Sequence, residues 1–219
     1  MGNFIVIEGI DGSGKSTQFR KLRAHVAALN QPHMSLAFPR YDNPSSTLLR
    51  LYLAGEFGTD PNAVNPYAAS TFYAMDRFAS FKQKWESAYQ AGQMVLADRY
   101  TTSNAIHQGA KLTGEERLAF FRWLDEFEHE KLDLPRPDIV LYMDVPIEIA
   151  LENICIRSAK TAARTDIHEQ GVSYLTICAE TGRQAANFFG WRIIHCTENG
   201  KMRPQDEIHQ EILSAVRLG

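Results

Sequence analysis

A glycine-rich segment near the start of the chain constrains the fold and function more than any other feature. Residues 9–16 read Gly-Ile-Asp-Gly-Ser-Gly-Lys-Ser, the pattern G-x-x-x-x-G-K-S/T, and an apolar run at 4–7 precedes them. Glycines let backbone N–H groups turn inward around a polyphosphate, Lys15 adds a point charge, and the Ser16 hydroxyl suits Mg²⁺. A helix predicted over about 16–29 presents its positive end to the same anion. The segment predicts ATP binding by Gly9, Ile10, Asp11, Gly12, Ser13, Gly14, Lys15, Ser16 and Thr17.

Composition and charge narrow the class of protein. The 219 residues are 44% hydrophobic and 22% charged, which suffices for one sizeable core. The net charge of −3 gives no general basic surface, so neither nucleic acid nor a membrane is expected as a partner. No apolar run approaches the roughly 18 residues of a membrane span. The three dispersed cysteines indicate reduced thiols, and we expect a cytoplasmic protein.

The order of apolar runs predicts the fold. Strand-like runs at 4–7, 34–38, 94–97, 139–143 and 192–196 alternate with helix-like segments, of which the longest covers 66–90. This alternation predicts a doubly wound α/β fold of the P-loop NTPase type, with a five-stranded, mainly parallel sheet and helices on both faces. We expect one domain over 1–219. Ligands of such sheets bind at the carboxyl ends of the strands, so the residues that follow each strand are candidates for function.

Charged residues follow the second and third predicted strands. Arg40 suits a phosphate because its planar fork donates two parallel hydrogen bonds, although a solvated arginine beside a proline turn is equally ordinary. Asp98 ends a buried strand next to the phosphate loop, where a carboxylate binds magnesium directly or through water. The alternative for Asp98 is a structural pair with Arg99 or a helix cap.

Two further groups lie on predicted helices. Tyr73 and Arg77 are four residues apart and share a face, which offers an aromatic ring and hydrogen-bond donors to a flat heterocycle. Core packing plus a surface arginine is the alternative. Arg157, Lys160 and Arg164 fall on one face of a polar segment at about 157–169 that suits a mobile lid delivering cations to phosphates, or else a solvated charged face.

Several of these motifs together resemble one family. The run at 4–18, the Phe-Pro-Arg-Tyr loop at 38–41, the run at 72–77, Asp-Arg-Tyr at 98–100 and Leu-Tyr-Met-Asp-Val-Pro at 141–146 are similar to the thymidylate kinase family of P-loop enzymes, which phosphorylate dTMP. The resemblance covers nearly the whole length. It implies transfer of the γ-phosphoryl group from Mg·ATP, with Mg²⁺ held by Ser16 and Asp98, and a homodimer to which helix 66–90 could contribute.

The resemblance also implies roles for particular residues. Arg40 and Arg99 would grip the dTMP phosphate, Tyr73 would stack on thymine, and Arg77 would bond a base carbonyl. The implied catalytic residues are Lys15, Arg99, Arg157 and Arg164. The implied acceptor-binding residues are Asp11, Phe38, Arg40, Tyr41, Tyr73, Arg77, Arg99, Ser103, Asn104, His107 and Gln108.

Three departures from the family pattern matter. His107 stands where the family commonly has a tyrosine that crowds the sugar 2′ position, so weaker or differently enforced 2′-deoxy selectivity is expected. Gly12 stands where one branch has arginine, which suits the branch that takes its catalytic cations from the lid. The run at 165–169 lacks one lid arginine. A kinase for another deoxynucleotide or for a deoxynucleoside stays open, as does a non-catalytic nucleotide-dependent switch, although the guanine-reading Asn-Lys-x-Asp motif is missing.

Overall fold

A five-stranded parallel sheet forms the centre of the molecule. A computed structural model describes residues 3–158 and 172–218. The strand order is β2-β3-β1-β4-β5, and every pairing in this sheet is parallel. The predicted fold class is confirmed, with strand ends within about one residue of expectation. The strands are β1 (Phe4–Glu8), β2 (His33–Ala37), β3 (Met94–Asp98), β4 (Ile139–Asp144) and β5 (Arg192–His195).

Helices cover both faces of this sheet, as doubly wound folds require. A short hairpin of β6 (Thr197–Glu198) and β7 (Lys201–Met202) precedes the last helix. The α-helices of the described residues are α1 (Lys15–Ala28), α2 (Thr47–Leu53), α3 (Pro66–Ser80), α4 (Glu86–Gln90), α5 (Thr102–His107), α6 (Gly114–Glu126), α7 (Ile147–Ser158), α8 (Val172–Phe189) and α9 (Gln205–Ala215).

The long helix predicted over 66–90 is continuous but not uniform. It begins where expected, because the Asn65 side chain accepts a hydrogen bond from the Ala68 backbone N–H at 2.9 Å. A π-helical turn, Phe81–Trp85, separates α3 from α4. A second π-helical turn, Phe127–Lys131, extends α6. Such wide turns are rare and often occur at functional sites.

Aromatic side chains fill one side of the sheet. Phe4, from the central strand β1, lies edge-on to Trp85 and Tyr100 with ring centroids 5.4 and 4.8 Å apart. Phe81 and Tyr89 complete this cluster and are buried, so these helix aromatics belong to the core. β1 is buried along its whole length, which is typical of a central parallel strand. The carboxyl ends of β1 and β3 are thereby fixed side by side.

Within the described ranges, no helix combines the length and the apolar character needed to cross a bilayer.

Candidate active site

The glycine-rich loop joins β1 to α1 in the conformation that phosphate binding requires. Gly12 and Gly14 have φ angles of +80° and +89°, a region that side chains strongly disfavour. A Cβ atom on Gly12 would also come within 2.1 Å of the Ala150 carbonyl oxygen. Lys15 lies at the start of α1, and its Nζ donates to the Ile10 carbonyl at 2.8 Å. Burial and the neighbouring Arg99 lower the pKa of Lys15.

A cavity of about 960 Å³ opens over this loop, which is large enough for a nucleotide. Asp98 at the end of β3 and Arg99 also line it, and Arg157 reaches it from the last turn of α7. Of the predicted ATP-binding residues, 11–17 line the cavity. Gly9 and Ile10 lie beneath it, where Ile10 is buried in the core.

Sequence reasoning missed the opposite wall of the ATP cavity. Met202 and Arg203, at the end of the β6–β7 hairpin, line this wall together with Ile208 of α9. Asn153 of α7 also lines it and donates to the Gly12 carbonyl at 2.8 Å. No motif marks these residues, because they come from parts of the chain far from the loop in sequence; Asn153 is 141 positions from Gly12.

A second, smaller cavity of about 210 Å³ adjoins the first. The two share Asp11, Phe38 and Arg99. Nine of the eleven predicted acceptor-binding residues line it, so the structure brings together residues from four separate segments of the chain. The nine are Asp11, Phe38, Tyr41, Tyr73, Arg77, Arg99, Ser103, Asn104 and His107.

The remaining two predicted acceptor-binding residues lie elsewhere. Arg40 is paired with the buried Asp76, its Nε lying 3.1 Å from Oδ1, while its Nη2 donates to Ser45 Oγ at 2.8 Å. Its Nη1 is buried and has no hydrogen-bond partner in the described part of the chain. Gln108 is fully buried, and neither atom of its side-chain amide has a partner among the described residues.

Arg99 connects the two cavities through a network of charges. Its φ of +66° is unusual for a side-chain-bearing residue. Its Nη2 pairs with Asp11, and its Nη1 lies 3.4 Å from Glu8 Oε1 and 3.2 Å from His107 Nε2. Glu8 is fully buried and also accepts hydrogen bonds from Thr102 and Ser103, both at 2.7 Å.

The charge network shifts the acidities of its members. Burial alone would raise the pKa of Asp11, but Arg99 and Lys15 outweigh it and hold that pKa well below its ordinary value. Burial likewise opposes the charge on Arg99, while Asp11 and Glu8 raise its pKa overall. For Asp98, burial raises the pKa, partly against Lys15 and Arg99. Asp11 and Arg99 are therefore ionised together at neutral pH.

The inner end of the smaller cavity rests on a buried ion pair. Arg77 of α3 contacts Glu128 through two nitrogens, and its Nε lies 2.7 Å from Glu128 Oε2. Asn104 of α5 donates to the same carboxylate at 3.2 Å. Glu128 does not line the cavity and belongs to no motif, so no sequence signal marks it.

The predicted lid is described only at its first cation. Arg157 is exposed and lines the ATP cavity. Lys160, Arg164 and the run at 165–169 lie outside the described residues.

The family assignment follows from comparison with known proteins. A family model described as "Thymidylate kinase" matches residues 7–193. The chain belongs to the thymidylate kinase family. It is therefore a nucleoside monophosphate kinase, and the family's reaction is the phosphorylation of dTMP.

Two relatives agree with this assignment, and one solved structure shares the fold. The thymidylate kinase of Mycobacterium tuberculosis (strain ATCC 25618 / H37Rv) is 32% identical over 161 residues, covering 73% of this chain and 74% of that protein. That of Synechococcus sp. (strain RCC307) is 27% identical over 220 residues, covering 100% and 97%. The thymidylate kinase structure from Candida albicans superimposes with a TM-score of 0.71 over 99% of this chain and 91% of that one, at 20% identity. That likeness supports the fold.

Lys111 joins two walls of the smaller cavity. It follows α5, and its Nζ donates to the Tyr52 hydroxyl of α2 at 3.0 Å and to the Val64 carbonyl at 2.8 Å. α2 contributes Leu53 to the cavity and α5 contributes Ser103. Burial lowers the pKa of Lys111 to about 8, although Asp60 acts in the opposite direction.

This lowered pKa predicts a pH dependence of stability. Between about pH 8 and 10.5 the unfolded chain holds the Lys111 proton and the folded chain releases it, so folding gains stability from this group as the pH rises. We expect the free energy of unfolding of the wild type, relative to Lys111→Met, to increase over this range in urea titrations. Lys131→Met is the matched control, because Lys131 is exposed and its pKa is raised by Glu126. The same trend relative to both variants would contradict the assignment to Lys111.

Proposed function

We propose that the chain transfers the γ-phosphoryl group of Mg·ATP to dTMP, giving dTDP and ADP. The observation that carries this proposal is the pair of adjoining cavities that meet at Asp11 and Arg99. The larger one lies over the phosphate loop and suits ATP. The smaller one is lined by two arginines, Arg99, which it shares with the larger cavity, and Arg77, which it does not share, and so suits a compact acceptor with a phosphate and a base.

In this reading, catalysis depends on position and charge. The dTMP phosphate is an anion at neutral pH, so the reaction requires no strong general base. Lys15 and the loop amides would hold the transferring phosphates, and Arg99 would neutralise charge between donor and acceptor. Arg157 would add a cation from the rim of the ATP cavity, and the predicted Arg164 would add another. Arg40 lies between Pro39 and Tyr41, which line the acceptor cavity, and its buried Nη1 has no hydrogen-bond partner among the described residues, so it would meet the acceptor phosphate.

We propose that Mg²⁺ accompanies ATP. Ser16 and Asp98 both line the ATP cavity and offer the hard oxygen ligands that this ion prefers. The described residues include no group of three or more acidic, histidine or cysteine side chains placed to hold a metal. This donor set fits an ion whose remaining ligands are substrate phosphates and water. The ion would neutralise charge on the transferring phosphates.

The acceptor base would lie against α3 and α5. Tyr73 supplies an aromatic face, Arg77 supplies hydrogen-bond donors, and Asn104 supplies its amide oxygen as an acceptor. Phe38, Tyr41 and Ser103 complete the walls of the cavity.

Substitution of the two central cations tests their roles. We expect Lys15→Ala and Arg99→Ala each to lower kcat/KM by at least about 10²-fold, because each removes a donor that stabilises charge in the transition state. Steady-state assays of ADP formation with dTMP measure this. Lys21→Ala is the control, since Lys21 lies on α1 and pairs with Asp206 but lines neither cavity. Near-normal turnover in either of the first two variants would refute its role.

His107 is the test of sugar selectivity. It is smaller than tyrosine, and its Nε2 lies 3.2 Å from Arg99 Nη1. We expect the chain to discriminate only weakly between dTMP and its ribonucleotide analogue, and His107→Tyr to increase the preference for dTMP. The ratio of kcat/KM values for the two acceptors measures this. A preference for dTMP that the substitution leaves unchanged would count against the hypothesis.

A kinase with another acceptor is the alternative, which His107 and Tyr73 keep open. Arg40 and Arg99 favour an acceptor that already carries a phosphate over a free deoxynucleoside. A turnover survey with ATP and a panel of nucleoside monophosphates and nucleosides decides between them. We expect dTMP to give the highest kcat/KM. The proposal would be overturned by a higher kcat/KM for a nucleoside than for dTMP. It would also be overturned by ADP formation that needs no acceptor.

We also propose a cytoplasmic homodimer. The three cysteines are free, which is usual for a reducing compartment. Met75 and Phe78 lie on an outward face of α3 and are 42% and 37% exposed. Such a face is suited to contact with a second copy. Sedimentation analysis of the wild type and Phe78→Asp tests the dimer, which the aspartate should weaken.

A further inference from the structure

We infer that Glu128 is a positioning residue for the acceptor base: it holds Arg77 and Asn104 in the arrangement that reads a base carbonyl. The inference rests on the proposed function, because it assigns these two residues to the base. Glu128 itself is fully buried and does not line the acceptor cavity. It acts on the substrate only through its two partners.

The contacts of Arg77 show how it is held. Its guanidinium carries one N–H on Nε and two on each terminal nitrogen. Nε and Nη2 face the two oxygens of Glu128, and Nη1 donates to the Tyr100 carbonyl at 3.4 Å. One N–H on each terminal nitrogen is then left for the cavity that Arg77 lines. The carboxylate thus sets the plane of the guanidinium and the direction of its remaining donors.

Asn104 is oriented by the same carboxylate. Its Nδ2 donates to Glu128 Oε1 at 3.2 Å and to the Ser70 carbonyl at 3.3 Å. Both amide protons are thereby used, and the amide oxygen of Asn104 is left as the acceptor for a ligand N–H. Together the two residues offer donors and one acceptor, which is complementary to a base that presents a carbonyl beside a ring N–H. A base with an amino group in place of that carbonyl would place donor against donor.

Charge compensation makes Glu128 necessary. Arg77 is 1% exposed, and an unpaired cation at such a depth is unfavourable. Glu128 offsets this cost within the protein, so Arg77 needs no anionic ligand and is able to bind a neutral carbonyl. The acceptor phosphate is left to Arg99, which the acceptor cavity shares with the ATP cavity.

Glu128 is the buried member of three neighbouring glutamates at the end of α6 and in the π-helical turn that follows. Glu126, Glu128 and Glu130 alternate along the chain from the end of α6 through the turn. The side chains of Glu126 and Glu130 are 54% and 60% exposed, whereas that of Glu128 is wholly buried. The sequence alone does not distinguish the three.

Glu128→Gln tests the inference, because it keeps the shape and removes the charge. We measure the dissociation constants of dTMP and dCMP by calorimetry, together with KM for each substrate. We expect dTMP to bind at least about tenfold more weakly, dCMP binding to change less than about twofold, and KM for ATP to stay constant. If Glu128 had a merely structural role, the substitution would weaken the binding of dTMP and dCMP alike. Glu126→Gln is the matched control and should behave as the wild type.

A second pair of variants keeps the inference testable if Glu128→Gln does not fold. Arg77→Met leaves the Glu128 carboxylate buried without its partner, and Arg77→Met combined with Glu128→Gln removes both charges. We expect the double variant to melt at a higher temperature than Arg77→Met and to bind dTMP as weakly as that variant does. The conservative Glu128→Asp should retain part of the discrimination.

The measurements distinguish a failure of the inference about Glu128 from a failure of the proposed function. An unchanged ratio of dTMP to dCMP affinity in Glu128→Gln, or in Glu128→Asp if the former does not fold, would overturn the inference. A double variant that binds dTMP far more weakly than Arg77→Met would overturn it too. If the wild type neither binds nor phosphorylates dTMP, the proposed function fails instead.

Discussion

The buried charge network around Arg99 is the interaction on which the rest of the site depends. A guanidinium at the end of β3 is stable there only because Asp11 from the phosphate loop and Glu8 from β1 surround it with negative charge. Those carboxylates are in turn fixed by the pairing of β1 with β3. The network therefore couples the position of the phosphate loop to that of the acceptor wall. Donor and acceptor cavities meet at this point because one cation serves both.

A second buried arginine–carboxylate pair lies beside the acceptor cavity. Arg77 pairs with Glu128, which lies outside the motifs, and Arg99 pairs with Asp11, which lies within the phosphate loop; in each case the carboxylate fixes the orientation of the cation. Preorganised donors need no rearrangement when the ligand binds, which is what selective recognition requires. On the proposed function, the acidic residues of this enzyme are thus part of how its arginines would recognise nucleotides.

Sequence reasoning predicted most of the residues that line the two cavities. It did not predict the residues that hold them in position. The loop at 9–16, Asp98, Arg99, Tyr73, Arg77 and Asn104 were predicted from local patterns or resemblance, and each lines one of the two cavities or underlies it. Gln108, predicted as an acceptor-binding residue beside His107, is instead buried away from the cavity, because adjacent residues of a helix point in different directions. Glu128 and Asn153 were not found, since their roles come from contacts with residues distant along the chain.

The sequence by itself determined the local elements and the ATP site. The glycine pattern, the apolar runs and the cap at Asn65 each act over a few residues. Their effects on local structure can therefore be predicted without knowledge of the fold. Only the tertiary structure decided which charges neutralise one another. Whether a given glutamate is solvated, like Glu126, or buried against an arginine, like Glu128, depends on the packing of α3, α5 and the π-helical turn after α6. Burial changes the energy of a charge far more than its neighbours in sequence do, and burial is a property of the whole fold.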